Sequence, residues 1–122
     1  MKILVVDDSK AMRSIVRRAL QQAGFGGHEV QEAGNGAEAF TTISAACPDV
    51  VLCDWNMPEM SGLQLLERLN TSGIKPKFGF VTSEGTDDIR QLATAAGALF
   101  FICKPFTPEK LREALAPHLG QP

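Results

Sequence analysis

No apolar run in these 122 residues approaches the roughly 18 that a membrane span needs. The stretch Ile3-Leu4-Val5-Val6 is followed at once by Asp7 and Asp8, so it does not read as the core of a signal peptide. Cysteine is scarce. Cys47, Cys53 and Cys103 are an odd number without CxxC or Cys/His spacing, and they read as small buried thiols of a reducing cytoplasm. Twelve basic residues against fourteen acidic ones leave a net charge of −2, without the basic footprint that broad nucleic-acid binding requires. No GxGxxG follows a strand-like run, so Gly26-Gly27 reads as a loop rather than a phosphate cradle. His28 and His118 have no metal-ligand company and read as surface or helix-end residues. The chain is also too short for an eight-unit barrel of about 250 residues.

What is present is globular: 44% apolar and 21% charged residues. A chain of this length buries roughly two-thirds of its unfolded surface and needs no disulfide or metal to fold. Short β-rich runs recur at Ile3–Val6, Glu29–Ala33, Val50–Cys53, Phe78–Val81 and Leu99–Ile102, and each gap has room for one helix. The first and third runs are continuously apolar, as in strands covered on both faces of a parallel sheet. Helical period marks the gaps. Met12, Ile15, Val16 and Ala19 form one stripe; Ile89, Leu92, Ala93 and Ala96 a second; Leu111, Ala114, Leu115 and His118 a third. Asn35 with Glu38, and Ser61 with Gln64, resemble capping boxes. Thr107-Pro108 reads as a cap followed by a first-turn proline, and Gly24 and Gly97 as helix stops. The pattern predicts an α/β fold: one doubly wound (βα)5 domain over residues 1–122 with a five-stranded parallel sheet. Gly120-Gln121-Pro122 reads as an end or the start of a linker.

In such sheets, ligands bind beyond the carboxyl ends of the strands, where the strand order switches. Asp7 and Asp8 follow the first strand and Asp54 the third, and in a 2-1-3-4-5 order those strands are neighbours. Thr82 follows the fourth run and Lys104 the fifth. Singly, each has an ordinary explanation. Asp8 could cap the first helix, Thr82 be a β-branched strand residue, and Lys104 a solvated charge. Together they make three carboxylates, a hydroxyl and an amine at one edge. Clustered carboxylates repel unless a cation is near, and oxygen-rich acidic sites suit Mg²⁺. An aspartate beside Mg²⁺ can act as nucleophile towards a phosphoryl group, with Lys104 and Thr82 stabilising its oxygens.

Asp7-Asp8, Asp54-Trp55-Asn56-Met57-Pro58 with Gly62-Leu63, Thr82-Ser83 and Lys104-Pro105 resemble the receiver domain of bacterial two-component response regulators, over the whole chain. The stretch from Asp54 to Leu63, with Glu84, is most similar to the single-domain chemotaxis type. The resemblance implies a flavodoxin-like fold and a role for each residue. Asp54 would accept the phosphoryl group from a kinase phosphohistidine. Asp8 and Asp54 would bind Mg²⁺ directly with the backbone carbonyl of Asn56, and Asp7 would act through a metal-bound water. Lys104 would pair with the phosphoryl group, and the Lys104-Pro105 bond would be cis. Thr82 would bond to the phosphoryl group and shift inward, with Phe101 as the aromatic switch. Asn56 and Glu84 match positions that tune dephosphorylation. Two departures stand out. Position 101 is Phe where that type has Tyr, which removes a hydroxyl bond to a partner. Position 83 is Ser where Ala is usual.

The implied partners are a histidine kinase or phosphotransfer protein and a downstream protein target. The target would meet the fourth helix, fifth strand and fifth helix, and the basic face of the first helix (Lys10, Arg13, Arg17) would be either solvated or a kinase-docking surface. No direct nucleic-acid or membrane contact is expected, and a cytoplasmic monomer or weak dimer is. Such a protein is a switch that catalyses only its own phosphoryl transfer and loss, not an enzyme in the usual sense. The alternative on the same fold is a small flavin- or nucleotide-binding protein. The acidic Asp7-Asp8-Ser9 loop speaks against it, because a phosphate loop needs glycines and free backbone N–H groups.

Overall fold

The five β-rich runs take the extended form in the computed structural model, which describes residues 1–119. They are β1 (Lys2–Val6), β2 (Glu29–Ala33), β3 (Val50–Cys53), β4 (Lys77–Thr82) and β5 (Phe100–Cys103). All pairings are parallel, in the order β2-β1-β3-β4-β5. Five helices alternate with them: α1 (Lys10–Leu20), α2 (Gly36–Ala45), α3 (Gly62–Thr71), α4 (Asp87–Ala95) and α5 (Pro108–Leu119). The (βα)5 expectation and the strand order hold. The expectation for Gly120-Gln121-Pro122 lies outside the described residues.

Two apolar layers flank the sheet, because successive strand residues point to opposite faces. Ile3, Val5, Val50 and Leu52 pack with Val16, Leu20, Leu111 and Leu115 of α1 and α5. Leu4, Val6, Val51 and Cys53 pack with Ile43, Leu65, Leu69 and Ala93 of α2, α3 and α4. That is why β1 and β3 read as continuous apolar runs.

The fifth strand begins one residue later than its sequence run suggests. Leu99 donates its N–H to the Phe78 carbonyl at 2.8 Å, but its side chain stays 50% exposed. The fourth extends to Thr82, which pairs with Cys103 and is therefore the last residue of the strand rather than the first beyond it. Two residues of the expected helical stripes also face outward: Ile15 is 51% and Leu92 52% exposed. Helix α4 rests on the sheet through the small Ala93, its one fully buried residue, which leaves Leu92 on its rim. The cysteines divide as well. Cys53 is buried, Cys103 half-buried, and Cys47 exposed in the loop after α2, contrary to the expectation of three buried thiols.

Ser9, not Asp8, caps α1, its hydroxyl accepting from the Met12 N–H at 3.2 Å. Ser61 and Gln64 form a full capping box. Asn35 accepts from the Glu38 N–H at 2.7 Å, but the Glu38 carboxylate reaches the Gly34 N–H at 3.4 Å, so only half of that expected box forms. Thr107 accepts from the Lys110 N–H at 3.2 Å, and Pro108 opens α5. Gly97 takes φ 102° just after α4, and Gly24 takes φ 98° in a π-helical turn (Gln21–Phe25) that extends α1. Both are left-handed positions that favour glycine.

Gly62, the first residue of α3, matters for another reason. Its N–H donates to the Trp55 carbonyl at 2.9 Å. A Cβ there would run into the Asp54 carbonyl and lie 2.8 Å from the Phe80 ring. The helix can therefore close against the end of β3 only without a side chain. Gly62→Ala is expected to destabilise the protein by about 1–3 kcal/mol, the usual cost of overpacking. A urea titration followed by circular dichroism checks it, and an unchanged midpoint would show that the loop yields freely.

Candidate functional site: an acidic cluster at the carboxyl edge of the sheet

Val6 pairs with Cys53, so β1 and β3 end flush and release Asp7 and Asp54 side by side. The Asp54 N–H continues the ladder by donating to the Val6 carbonyl at 2.9 Å. On the other side the Asp7 N–H donates to the Ala33 carbonyl at 3.2 Å. Asp8, one residue on, is exposed. The carboxylate oxygens of Asp7, Asp8 and Asp54 lie within 4.8 Å of one another. From β5 comes Lys104, whose N–H donates to the Thr82 carbonyl at 2.9 Å and whose bond to Pro105 is cis.

Lys104 Nζ lies 3.0 Å from Asp7 Oδ2 and 3.7 Å from Asp54 Oδ2. Asp7 is nearly inaccessible; its Oδ1 accepts from the Ser9 N–H at 2.9 Å. Asp54 Oδ1 accepts from the Trp55 N–H at 2.8 Å. Each of these two carboxylates thus has one oxygen fixed by the backbone and one turned to the ammonium. Burial first, and then the charge of Asp7, push the Asp54 carboxyl up from its ordinary value. The Thr82 hydroxyl, the Lys104 ammonium and the Trp55 N–H oppose the rise. Beneath the cluster, burial and then the Asp54 and Asp7 charges drive the Cys53 thiol well up, which keeps it protonated and inert.

Three carboxylates around one ammonium leave a surplus of negative charge, and all the donors are hard oxygens. That donor set fits Mg²⁺, which is held by one or two carboxylates with water and phosphate oxygens. Asp8 and Asp54 would hold the ion, with Asp7 close behind them.

The remaining expected residues form two further groups. Asn56 Nδ2 donates to Glu84 Oε1 at 2.9 Å, and the Glu84 N–H donates to Thr82 Oγ1 at 3.3 Å. This chain links the loop after β3 to the loop after β4 across the mouth of the site. Phe101 lies apart from the acids. Its ring is 6.1 Å from that of Phe80, and the Arg90 guanidinium sits 4.8 Å above its centroid. Arg90 also donates to Cys103 Sγ at 2.9 Å. Arg90, Phe101, Cys103, Lys110 and Glu113 line a shallow groove of about 390 Å³ over α4, β5 and α5.

Sequence reasoning missed three features. Arg13 shares the basic face of Lys10 and Arg17 by spacing, but its guanidinium turns inward to the Asp7 carbonyl at 2.7 Å and to Glu32 at 2.9 Å. Glu59 takes φ 69°, and no residue type there marks the left-handed turn. The Arg90–Phe101 contact joins residues eleven positions apart on different elements. No helix among the described residues is long and apolar enough to cross a membrane.

Comparison with known proteins places this geometry. The profile of the response regulator receiver domain matches residues 3–116. The chemotaxis protein CheY1 of Helicobacter pylori strain 26695 is 40% identical over 123 residues, covering 98% of both chains. The CheY homolog of Campylobacter jejuni is 39% identical, covering 98% of this chain and 93% of that one. Among solved structures, the chemotaxis protein CheY4 of Vibrio cholerae superposes with a TM-score of 0.84 at 34% identity, covering 97% of this chain and 98% of that one.

Proposed function

This chain belongs to the response regulator receiver domain family, and from that premise we propose that Asp54 is its phosphoryl acceptor. Members of the family act as signalling switches rather than metabolic enzymes. The observation that carries the proposal is the meeting of Asp7, Asp8, Asp54 and Lys104 at the flush ends of β1 and β3.

A carboxylate oxygen of Asp54 attacks the phosphorus of a phosphohistidine on a kinase or phosphotransfer protein. The new O–P bond forms as the N–P bond breaks, and the leaving imidazole nitrogen keeps the electron pair and takes up a proton. Bound Mg²⁺ supplies the positive charge that lets an anionic donor approach an anionic acid. Asp8, Asp54 and the Asn56 backbone carbonyl would hold the ion, and Asp7 would act on it from behind them. Lys104 moves from its contacts with Asp7 and Asp54 onto a phosphoryl oxygen. The Asn56–Glu84 pair stands where water must enter to hydrolyse the acyl phosphate, and so sets its lifetime.

Output follows from Thr82. A phosphoryl group shifts an equilibrium only through interactions that differ between states. The Thr82 hydroxyl supplies one, and its inward move gives Phe101 room to change position on the α4–β5–α5 face, where a protein target binds. The similarity to chemotaxis regulators supports a role in chemotaxis or motility, acted out in the cytoplasm.

Incubation with acetyl phosphate and Mg²⁺ should add one phosphoryl mass and shift amide resonances across residues 86–115. Thr82→Ala should keep the adduct but lose most of those shifts. If its shifts match those of the wild type, Thr82 does not carry the coupling. If no adduct forms on the wild-type protein, the acceptor assignment fails.

A further inference from the structure

Asp7 is held at every polar atom it has. Its N–H goes to Ala33, its Oδ1 takes the Ser9 N–H and its Oδ2 takes the Lys104 ammonium. The fourth contact comes from outside the loop and from the adjoining helix: Arg13 Nη1 donates to the Asp7 carbonyl at 2.7 Å. The same guanidinium is anchored from behind, since its Nε donates to Glu32 Oε1 at 2.9 Å. Glu32 is itself braced by Arg17 Nη1 on its other oxygen at 2.8 Å. The Arg13 side chain is 16% exposed, so a residue of a basic helix face has become a largely buried strut between α1, β2 and the end of β1.

The carbonyl that Arg13 holds belongs to the peptide joining Asp7 to Asp8. A peptide is planar, so fixing its oxygen fixes the direction in which the chain leaves towards Asp8. Asp8 needs that guidance more than its neighbours do. Among the described residues no amide or side chain holds its carboxylate, whereas Asp7 and Asp54 each have a backbone N–H on one oxygen. We infer that Arg13 is a positioning residue: by clamping the Asp7 carbonyl against Glu32 it aims the Asp8 carboxylate at the cation position. The inference rests on the proposed Mg²⁺ role of the acid cluster.

Charge and positioning predict opposite signs, which makes the idea testable. If Arg13 mattered only as a nearby positive charge, removing it would tighten binding of a dication. If it positions Asp8, removing it weakens binding, by roughly tenfold for a group acting behind the ligands themselves. Arg13→Met keeps the apolar stem and loses the fork. Arg13→Lys keeps the charge and guards against a failure to fold. One ammonium cannot serve both acceptors in the parallel geometry of a guanidinium.

The experiment is a Mg²⁺ titration by intrinsic fluorescence on wild type, Arg13→Met and Arg13→Lys, with ¹H–¹⁵N spectra of the metal-free proteins. Weaker Mg²⁺ binding in Arg13→Met, a smaller loss in Arg13→Lys and a displaced Asp8 amide in both support the inference. Equal or tighter binding in Arg13→Met overturns it while leaving the metal site standing. Should that variant not fold, Arg13→Lys decides alone by the same criterion. A wild-type protein without any saturable Mg²⁺ response overturns the metal site, and this inference with it.

Discussion

Asp54→Asn should take up no phosphoryl group from acetyl phosphate and Mg²⁺, and in metal-free buffer at neutral pH it should unfold at a higher temperature than the wild type. The first effect is complete because an amide is no nucleophile towards phosphorus, and Asp7 is pinned by Ser9 and Lys104 away from that task. Intact mass measures it, and equal labelling of the variant would move the acceptor elsewhere. The second effect follows from electrostatics. Burial, with Asp7 beside it, raises the Asp54 carboxyl in the folded protein. The folded chain therefore holds that proton at a higher pH than the unfolded chain does. Above the raised value, folding carries the full penalty of an ionised Asp54; as pH falls towards the ordinary carboxylate value, the penalty disappears. A neutral amide at this position would never carry it. The stability gap between variant and wild type should thus be widest at neutral pH and close on acidification. Lys104 has Asp7 at 3.0 Å as a second partner, so the substitution should strand no ammonium. Mg²⁺ should reverse the order, because a ligand of the folded state stabilises only a protein that still binds it. A gap that widens as the pH falls would contradict the raised carboxyl.

The sheet was legible because it is parallel and central. Strands covered on both faces must be apolar throughout, and β1 and β3 announce themselves as Ile3–Val6 and Val50–Cys53. The right-handed crossovers of a βα repeat fix which face each helix covers, but the order 2-1-3-4-5 came with the resemblance to the receiver fold, and the site follows from that order. Asp7, Asp8, Asp54, Thr82 and Lys104 could be placed from sequence because each sits at or next to a strand end. Edges were harder to read. β5 runs along the rim of the sheet, and Leu99 looks like a strand residue by type although its side chain lies in solvent. Long polar side chains were hardest of all. Arg13 and Arg90 sit among charges or exposed helix positions, and their direction depends on partners such as Glu32 and Phe101 that only the assembled fold brings near. The Phe at position 101 illustrates the point. The residue type shows that a hydroxyl is absent, but only the structure reveals a guanidinium over the ring.

Asp8→Ala should abolish the fluorescence response to Mg²⁺ while leaving the circular dichroism spectrum unchanged. Trp55 is the only tryptophan and follows Asp54 directly. Its N–H is bonded to Asp54 Oδ1 at 2.8 Å, and its ring packs 5.0 Å from Phe80 at 60°. The backbone of Trp55 is thus tied to the Asp54 carboxylate, and its indole is packed on the core at β4. In the metal-free protein it lies beside three clustered carboxylates with one ammonium among them. Neutralising that surplus changes the field at the ring, and drawing Asp8 towards Asp54 tightens the loop that carries Trp55. The wild type should therefore show saturable quenching with millimolar affinity, since most ligands of the ion remain water. Asp8 is the residue to remove because it is exposed and pairs with no other side chain among the described residues, so its loss leaves no buried partner unsatisfied. It also relieves repulsion in the metal-free cluster, so the variant should be no less stable than the wild type without Mg²⁺. With Mg²⁺ the order should invert, the wild type gaining thermal stability and the variant none. A variant that still titrates with wild-type affinity would place the cation away from Asp8.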